Sequence, residues 1–420
     1  MEKIIYVYFD WDNSPTLLGK LFVDVNRGKE AFSFEYDKNW IQMCEMGDFP
    51  NVSLDPDLPL FSGRQYLPSG KKIFGVLSDS CPDRWGRLLM QRREAIVAKQ
   101  EERKPKSLTE SDFLLGVYDE TRMGALRFSL DKNGTFLSSD KELAAPPWTT
   151  LRTLESASLA FESSSNKDEE KWLRQLLAPG SSLGGARPKA SVLAPDDSLW
   201  IAKFPSKHDE WNTGAWEMVT HDLAIKCDLN VPDAKLENFS SQGSTFLVKR
   251  FDRDGNKRIH FSSAMTLLGK TDGEGSEGTS YLDIASFIKS HGASPKRDLN
   301  ELWKRIVFNM AVSNTDDHLR NHGFILNKNG WVLSPLYDVN PNIYGENLSL
   351  CVSENDSAIS FELALSVAEY FDISNAEAIS YVDKVKSTVE TQWREIASKY
   401  KLGRSAISFM DPAFDMNFKK

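Results

Sequence analysis

No run of about 18 apolar residues occurs in this 420-residue chain, so nothing in it reads as a membrane span. Cysteine is scarce: Cys44, Cys81, Cys227 and Cys351 lie far apart, with no Cys-x-x-Cys pair. That spacing excludes the usual structural zinc sites and suits a reducing compartment. The six histidines show no metal-ligand spacing on one helix face. Positive charge is also short, 51 Lys and Arg against 60 Asp and Glu, for a net charge of −9. Uniform nucleic-acid binding by this chain alone is therefore not expected. The start, Met1 to Tyr6, has too little apolar length for a signal peptide, and no internal repeat is visible. A cytoplasmic protein is the simplest expectation.

What is present is a large core's worth of apolar residues, 40% hydrophobic and 11% aromatic, enough for two or three structural units. The first part reads as β-rich. Strands are expected over Ile4–Asp10, Leu17–Asp24 and Ala31–Tyr36, with turns at Asp12-Asn13-Ser14-Pro15 and Asn26-Arg27-Gly28. Helices follow at Trp85–Lys99 and from Ser111 to Val117, then a hairpin about Asn133-Gly134. Beyond a break at Ala145-Pro146-Pro147, helices are expected over Leu151–Phe161, Lys171–Leu177 and Trp211–Cys227. Strands are expected over Ala190–Ala194, Leu199–Phe204 and Thr245–Phe251, and helices dominate from Asp283 onward. The class is α+β.

The most telling segment is Asn314-Thr315-Asp316-Asp317-His318-Leu319-Arg320-Asn321, followed by Leu336-Tyr337-Asp338. It sets an Asp, an Asn five residues on, and a further Asp beyond a short hairpin. Phosphoryl transfer from ATP needs one carboxylate to orient the attacking hydroxyl and two oxygen ligands to hold magnesium. Kinase catalytic loops use the same Asp-x-x-x-x-Asn spacing. Asp316 is the candidate base and Asp317 the alternative; Asn321 and Asp338 are the candidate metal ligands. His318 and His322 lie in the same segment and read as loop-ordering residues, with His318 counted among the nucleotide-contacting set. Taking Asn329-Gly330 as a two-residue type I′ loop pairs Lys328 with Trp331 and sets Asn321 opposite Asp338, with Cβ atoms roughly 5 Å apart. Pro335 interrupts that ladder.

Other parts of an ATP site occur in order along the chain. Ser181-Ser182-Leu183-Gly184-Gly185-Ala186-Arg187-Pro188-Lys189 is a glycine-rich loop entering a strand, and Arg187 and Lys189 add positive charge. Gly184 and Gly185 allow backbone N–H groups close to phosphate; a plain tight turn is the other reading. Lys203, inside the apolar strand Trp200–Phe204, fits the ATP-phosphate lysine, or else an edge-strand lysine. Glu217 on the next helix could pair with it or face solvent. Val248-Lys249-Arg250-Phe251-Asp252 stands where a hinge would meet adenine, with Lys249 and Phe251 as contacts; Arg250 and Asp252 could equally make a structural ion pair.

At these residues the chain resembles the HipA family of bacterial serine/threonine kinase toxins. Ser182 to Lys189 looks like its glycine-rich loop, Ile201-Ala202-Lys203-Phe204-Pro205 its ATP-lysine strand, and Asn314 to Asn321 with Pro335 to Asp338 its catalytic and metal segments. Leu18 to Leu21 and Phe32 to Asp37 resemble its β-rich N-terminal subdomain. The resemblance implies a two-lobed protein-kinase-like fold with that extra subdomain and a mostly helical C-terminal lobe, divided at 1–145, 146–255 and 256–420. It also implies ATP and Mg2+ as cofactors and autophosphorylation at Ser182, with Ser181 as the fallback. The implied partner is a HipB-like helix-turn-helix antitoxin, through which alone DNA would be reached. Protein substrates would be components of translation such as aminoacyl-tRNA synthetases. Two departures stand out: Lys249 replaces the family's usual acidic hinge residue, and Ser80 to Arg87 differs from the toxin branch's usual run. A small-molecule kinase and an inactive scaffold for an antitoxin–DNA complex are the competing readings.

Overall fold

Two tight turns build the first sheet. Asp12 and Asn13 take φ of 52° and 61°, and Arg27 and Gly28 take 49° and 78°. Positive φ at both central residues matches the twist of the flanking strands, so each turn closes a two-residue hairpin. The strands are β1 (Glu2–Trp11), β2 (Ser14–Asn26) and β3 (Lys29–Tyr36), registered Trp11 to Ser14 and Asn26 to Lys29. With β4 (Arg64–Tyr66) and β5 (Leu126–Ser129) they form an antiparallel sheet of order β4-β3-β2-β1-β5. Ile5, Val7 and Phe9 alternate into the core from β1. Phe9 packs against Trp40 at 5.3 Å, and Trp40 against Phe49 at 4.5 Å between ring centroids.

The computed structural model describes residues 2–138, 145–163, 176, 185–271 and 278–419, for Phe418 the backbone only. Ser181, Ser182, Gly184 and all of the Lys171–Leu177 helix except Leu176 therefore lie outside the described residues. Packing divides the chain into two units. The first comprises Met1–His208, Leu247–Ser262 and Leu326–Lys328; the second comprises Asp209–Phe246, Ser263–Ile325 and Asn329–Lys420.

Besides the sheet, the first unit holds α1 (Lys38–Met46), α2 (Gly75–Ser78), α3 (Arg84–Gln100), α4 (Glu110–Gly116) and α5 (Leu151–Ser163). Their starts follow from capping: Asp37 accepts from the Asn39 N–H, Asp83 from Gly86, and Thr109 forms a capping box with Asp112. The expected hairpin about Asn133-Gly134 is only half formed. The turn is there, with the Gly134 N–H donating to the Asp131 carbonyl at 3.0 Å and the Leu137 N–H reaching back to the Phe128 carbonyl at 2.7 Å, but among the described residues the returning segment is not a regular strand. Strands β6 (Lys189–Leu193) and β7 (Leu199–Lys203) pair with Lys189 opposite Lys203. The residue after strand Thr245–Lys249 joins β7 through Arg250 N–H to Leu199 C=O, 2.9 Å.

The second unit is mostly helical: α6 (Thr213–Lys226), α7 (Ala264–Leu267), α8 (Tyr281–His291), α9 (Pro295–Val312), α10 (Phe361–Ser366), α11 (Asn375–Lys399) and α12 (Arg404–Phe414). Helix α9 is its spine. Pro295 opens it, and Leu299, Leu302, Trp303, Ile306, Val307, Phe308 and Met310 are all fully buried. Apolar residues on every side mean neighbours on every side, and α8, α10 and α11 supply them. The helix stops at Ser313, whose φ of 51° breaks the ladder and launches the Asn314–Asn321 segment.

The expected hairpin register is corrected. The strands are Gly323–Asn327 and Gly330–Leu333, so the turn residues are Lys328 and Asn329, and neither has positive φ. Positive φ falls instead on Gly330, at 124°, where a Cβ would sit 3.2 Å from the His291 carbonyl oxygen. The Ser334 N–H donates to the Gly323 carbonyl at 2.9 Å, which moves the ladder two residues from a Lys328–Trp331 pairing. Asn321 is thus not set opposite Asp338 by ladder pairing.

Candidate active site

The Asn314–Asn321 segment splits two adjacent aspartates. Asp316 is exposed, and its backbone carbonyl accepts from the His318 N–H at 3.0 Å and from Asn321 Nδ2 at 2.9 Å. Asp317 is 1% exposed. Its Oδ2 accepts from Asn309 Nδ2 at 2.6 Å, from His322 Nε2 at 2.9 Å and from the Tyr281 hydroxyl. Burial alone would raise the Asp317 pKa; the His322 ring and the His322 and Tyr281 hydrogen bonds outweigh it and hold the carboxyl below its ordinary value. Tyr281 is pushed well above the usual phenol range by burial and by Asp317. A carboxylate held this way is a poor acceptor for a substrate proton. Asp316, at the surface, keeps the role open.

Asn321 is buried, and with its Nδ2 committed to the Asp316 carbonyl its amide oxygen turns away from that bond. Asp338 is half-buried at φ of 59°, an uncommon conformation for a residue with a side chain. The Tyr337 hydroxyl donates to the Arg320 carbonyl at 2.6 Å, so the residue before Asp338 is tied to the residue before Asn321. That side-chain link, rather than a strand register, brings the two segments together. Thr315 is braced by Asn342, whose Nδ2 reaches its hydroxyl at 2.7 Å. His318 lies in the turn, its carbonyl accepting from the Asn321 N–H at 2.8 Å. Glu217, on α6 in this second unit, is 5% exposed, which rules out a solvated helix-face role.

The other candidates belong to the first unit. Gly185 and Ala186 are exposed, and Arg187, Lys203, Lys249 and Phe251 are half-buried. Lys189 departs from the phosphate role expected of it. It is 3% exposed, and its Nζ donates to Asp83 Oδ2 at 2.9 Å and to the Gly185 carbonyl at 3.3 Å. Burial raises the Asp83 pKa, with Lys189 opposing. Arg250 and Asp252 make the buried pair that was the alternative reading, at 2.8 and 2.7 Å, with Arg250 also donating to the Thr121 carbonyl at 2.6 Å. Sequence reasoning missed Asp83, Tyr281 and Asn309. Asp83 carries a helix-cap signal, but its partner is 106 residues away; Tyr281 and Asn309 read only as helix residues.

Asp316, Asn321 and Asp338, the three candidate oxygen donors, all belong to the second unit. Residues 181–393 match the HipA-like C-terminal domain, half of the chain, and the chain belongs to that family. A Haemophilus influenzae protein named "Putative kinase" is 28% identical over 179 residues, 38% of this chain and 52% of that protein. "Putative kinase Y4mE" of Sinorhizobium fredii is 30% identical over 192 residues, 40% and 44% respectively. The matches thus span about half the length of these curated relatives. The fold is similar to that of the HipA of the Shewanella oneidensis MR-1 toxin–antitoxin system, solved with HipB and its operator DNA. The TM-score is 0.67 at 17% identity, over 98% of this chain and 95% of that one. Among the described residues no helix is long and apolar enough to cross a membrane.

Proposed function

We propose that this protein is an ATP- and magnesium-dependent kinase that phosphorylates serine or threonine hydroxyls of proteins. Its own Ser182, or else Ser181, is among its targets. It acts as the toxin of a toxin–antitoxin pair. The observation that carries this reading is the opposite placement of Asp316 and Asp317. Asp316, at the surface, orients a substrate hydroxyl and accepts its proton; Asp317 is withdrawn into the core. Asn321, through its amide oxygen, and Asp338, through its carboxylate, would hold magnesium. Among the described residues no cluster of three His, Cys, Asp or Glu side chains forms a cage. One amide and one carboxylate oxygen fit magnesium, which uses few protein ligands and fills the rest with phosphates and water. Magnesium bound there would offset charge on the transferring phosphoryl group. Lys203 is assigned the ammonium that meets the phosphates. Gly185, Ala186 and Arg187 are assigned to the loop over them, and Lys249 and Phe251 to the hinge.

Family membership, the HipA-like fold and the names of the two relatives support a kinase. HipB in the Shewanella complex supports a HipB-like partner that carries the contact with DNA. An aminoacyl-tRNA synthetase is the candidate class of protein substrate.

Purified protein, radiolabelled ATP and Mg2+ test the reading. Wild type should label itself, and a Ser181→Ala/Ser182→Ala double variant should not. Asp316→Asn should lose at least about 100-fold in transfer rate, the scale of a positioned base, while still binding nucleotide. Undiminished transfer by Asp316→Asn sinks the mechanism.

A further inference from the structure

We propose that Asp317 is the positioning residue of the catalytic segment. Its buried carboxylate pins three separate parts of the second unit, and so sets the attitude of Asp316 and Asn321 on either side of it. The role assigned to the segment rests on the kinase reading above; the anchoring itself does not.

The donors come from different elements. Tyr281 is the first residue of α8, Asn309 lies in the last turn of α9, and His322 stands just before strand Gly323–Asn327. All three are fully buried, and all three end on the same oxygen of Asp317. Each donor is itself held. The Tyr281 N–H donates to the Cys351 carbonyl at 2.9 Å, and a Ser280–Asp283 capping box fixes the helix start. Asn309 is two-headed: while Nδ2 serves Asp317, Oδ1 accepts from Asn314 Nδ2 at 3.0 Å. One amide thus fastens both the start and the middle of the segment. Tyr281 and His322 also meet ring edge to ring face, 5.4 Å between centroids.

What this does to the neighbours follows from chain connectivity. Fixing the Asp317 side chain inward leaves Asp316 outward. The Asp316 carbonyl, between them, receives both the His318 N–H and Asn321 Nδ2. One turn therefore orients the candidate base and the candidate metal ligand together. Buried donors that lose a shared acceptor have no water to turn to, so loosening the anchor loosens that turn. Outer groups that orient a ligand typically matter by 10–100-fold when removed.

The test compares Tyr281→Phe and Asp317→Asn with Tyr381→Phe. Tyr381 is a buried tyrosine of the same unit whose hydroxyl serves the Cys227 carbonyl at 2.8 Å. Tyr281→Phe removes one donor and keeps the ring, so it remains informative if Asp317→Asn does not fold. Expected for Tyr281→Phe is a kcat about 10–100-fold below wild type, with KM for ATP little changed, the fold-change of an orienting group. The Mg2+ concentration for half-activation should rise. Amide hydrogen exchange over residues 314–322 should quicken while α11 stays protected. Tyr381→Phe should leave kcat and that exchange at wild-type values at a similar loss of melting temperature. If Tyr281→Phe behaves as Tyr381→Phe in kcat, or if exchange over 314–322 is unchanged, Asp317 is only a core residue and the proposal falls. If wild type itself transfers no phosphoryl group, the kinase reading fails on its own. The exchange comparison then decides the anchoring.

Discussion

Burial settles the protonation of individual side chains in this molecule. His260 is 1% exposed beside Phe9, 4.9 Å between rings, and burial pushes its pKa down to about 3. In the unfolded chain it titrates near the ordinary value of about 6.5. Above that pH both states hold a neutral ring. Between there and about 3 only the unfolded state takes the proton, so stability falls as pH falls, by up to about 1.4 kcal/mol per pH unit. A His260→Phe variant should lose less stability than wild type between pH 7 and pH 4 in urea titrations; equal losses would contradict this. The sequence presents His260 only as one of six scattered histidines. Its neutrality comes from packing that no local pattern announces. The partner of Lys189 is likewise hidden from any local pattern. A lysine beside two glycines reads as a phosphate ligand, and only the fold brings Asp83 to its ammonium.

Elements were more legible than contacts. The two hairpin turns of the first sheet, the capped helix α3 and the apolar strand carrying Lys203 lie within a few residues of their expected bounds, because turn chemistry, caps and alternation act locally. Asn329-Gly330 misled because its glycine serves a different end. Gly330 opens the second strand close against the His291 carbonyl, and the turn moves back by one residue. Gly214 shows a similar tertiary demand inside α6. A Cβ there would lie 2.1 Å from the Ser244 carbonyl oxygen, while Asn212 caps the helix and accepts from the Ser244 N–H at 2.9 Å. Helix propensity alone favours Gly214→Ala. Sterics should win instead, lowering stability by about 1–3 kcal/mol as overpacking does. Thermal melting decides, and a higher melting temperature would refute the close approach.

For the whole molecule, charge and fold carry the argument. A net charge of −9 leaves no general attraction for phosphate backbones. The protein alone should fail to retard operator-length DNA in a gel at physiological salt, and should retard it only when a helix-turn-helix partner of the kind proposed above is added. Retardation by the purified chain alone would contradict this. By itself the sequence determined the family, the mixed helix and sheet, the main strands and helices among the described residues outside the corrected hairpin, and the residue types of the candidate site, because periodicity, capping and motif spacing are written within short windows. Only the tertiary structure decided which of two neighbouring aspartates faces water, what Lys189 and Arg250 hold, and how the Asp338 segment is tied to the Asn321 segment. Those outcomes depend on buried donors and acceptors brought together from distant parts of the chain, where low dielectric makes each unmade hydrogen bond costly.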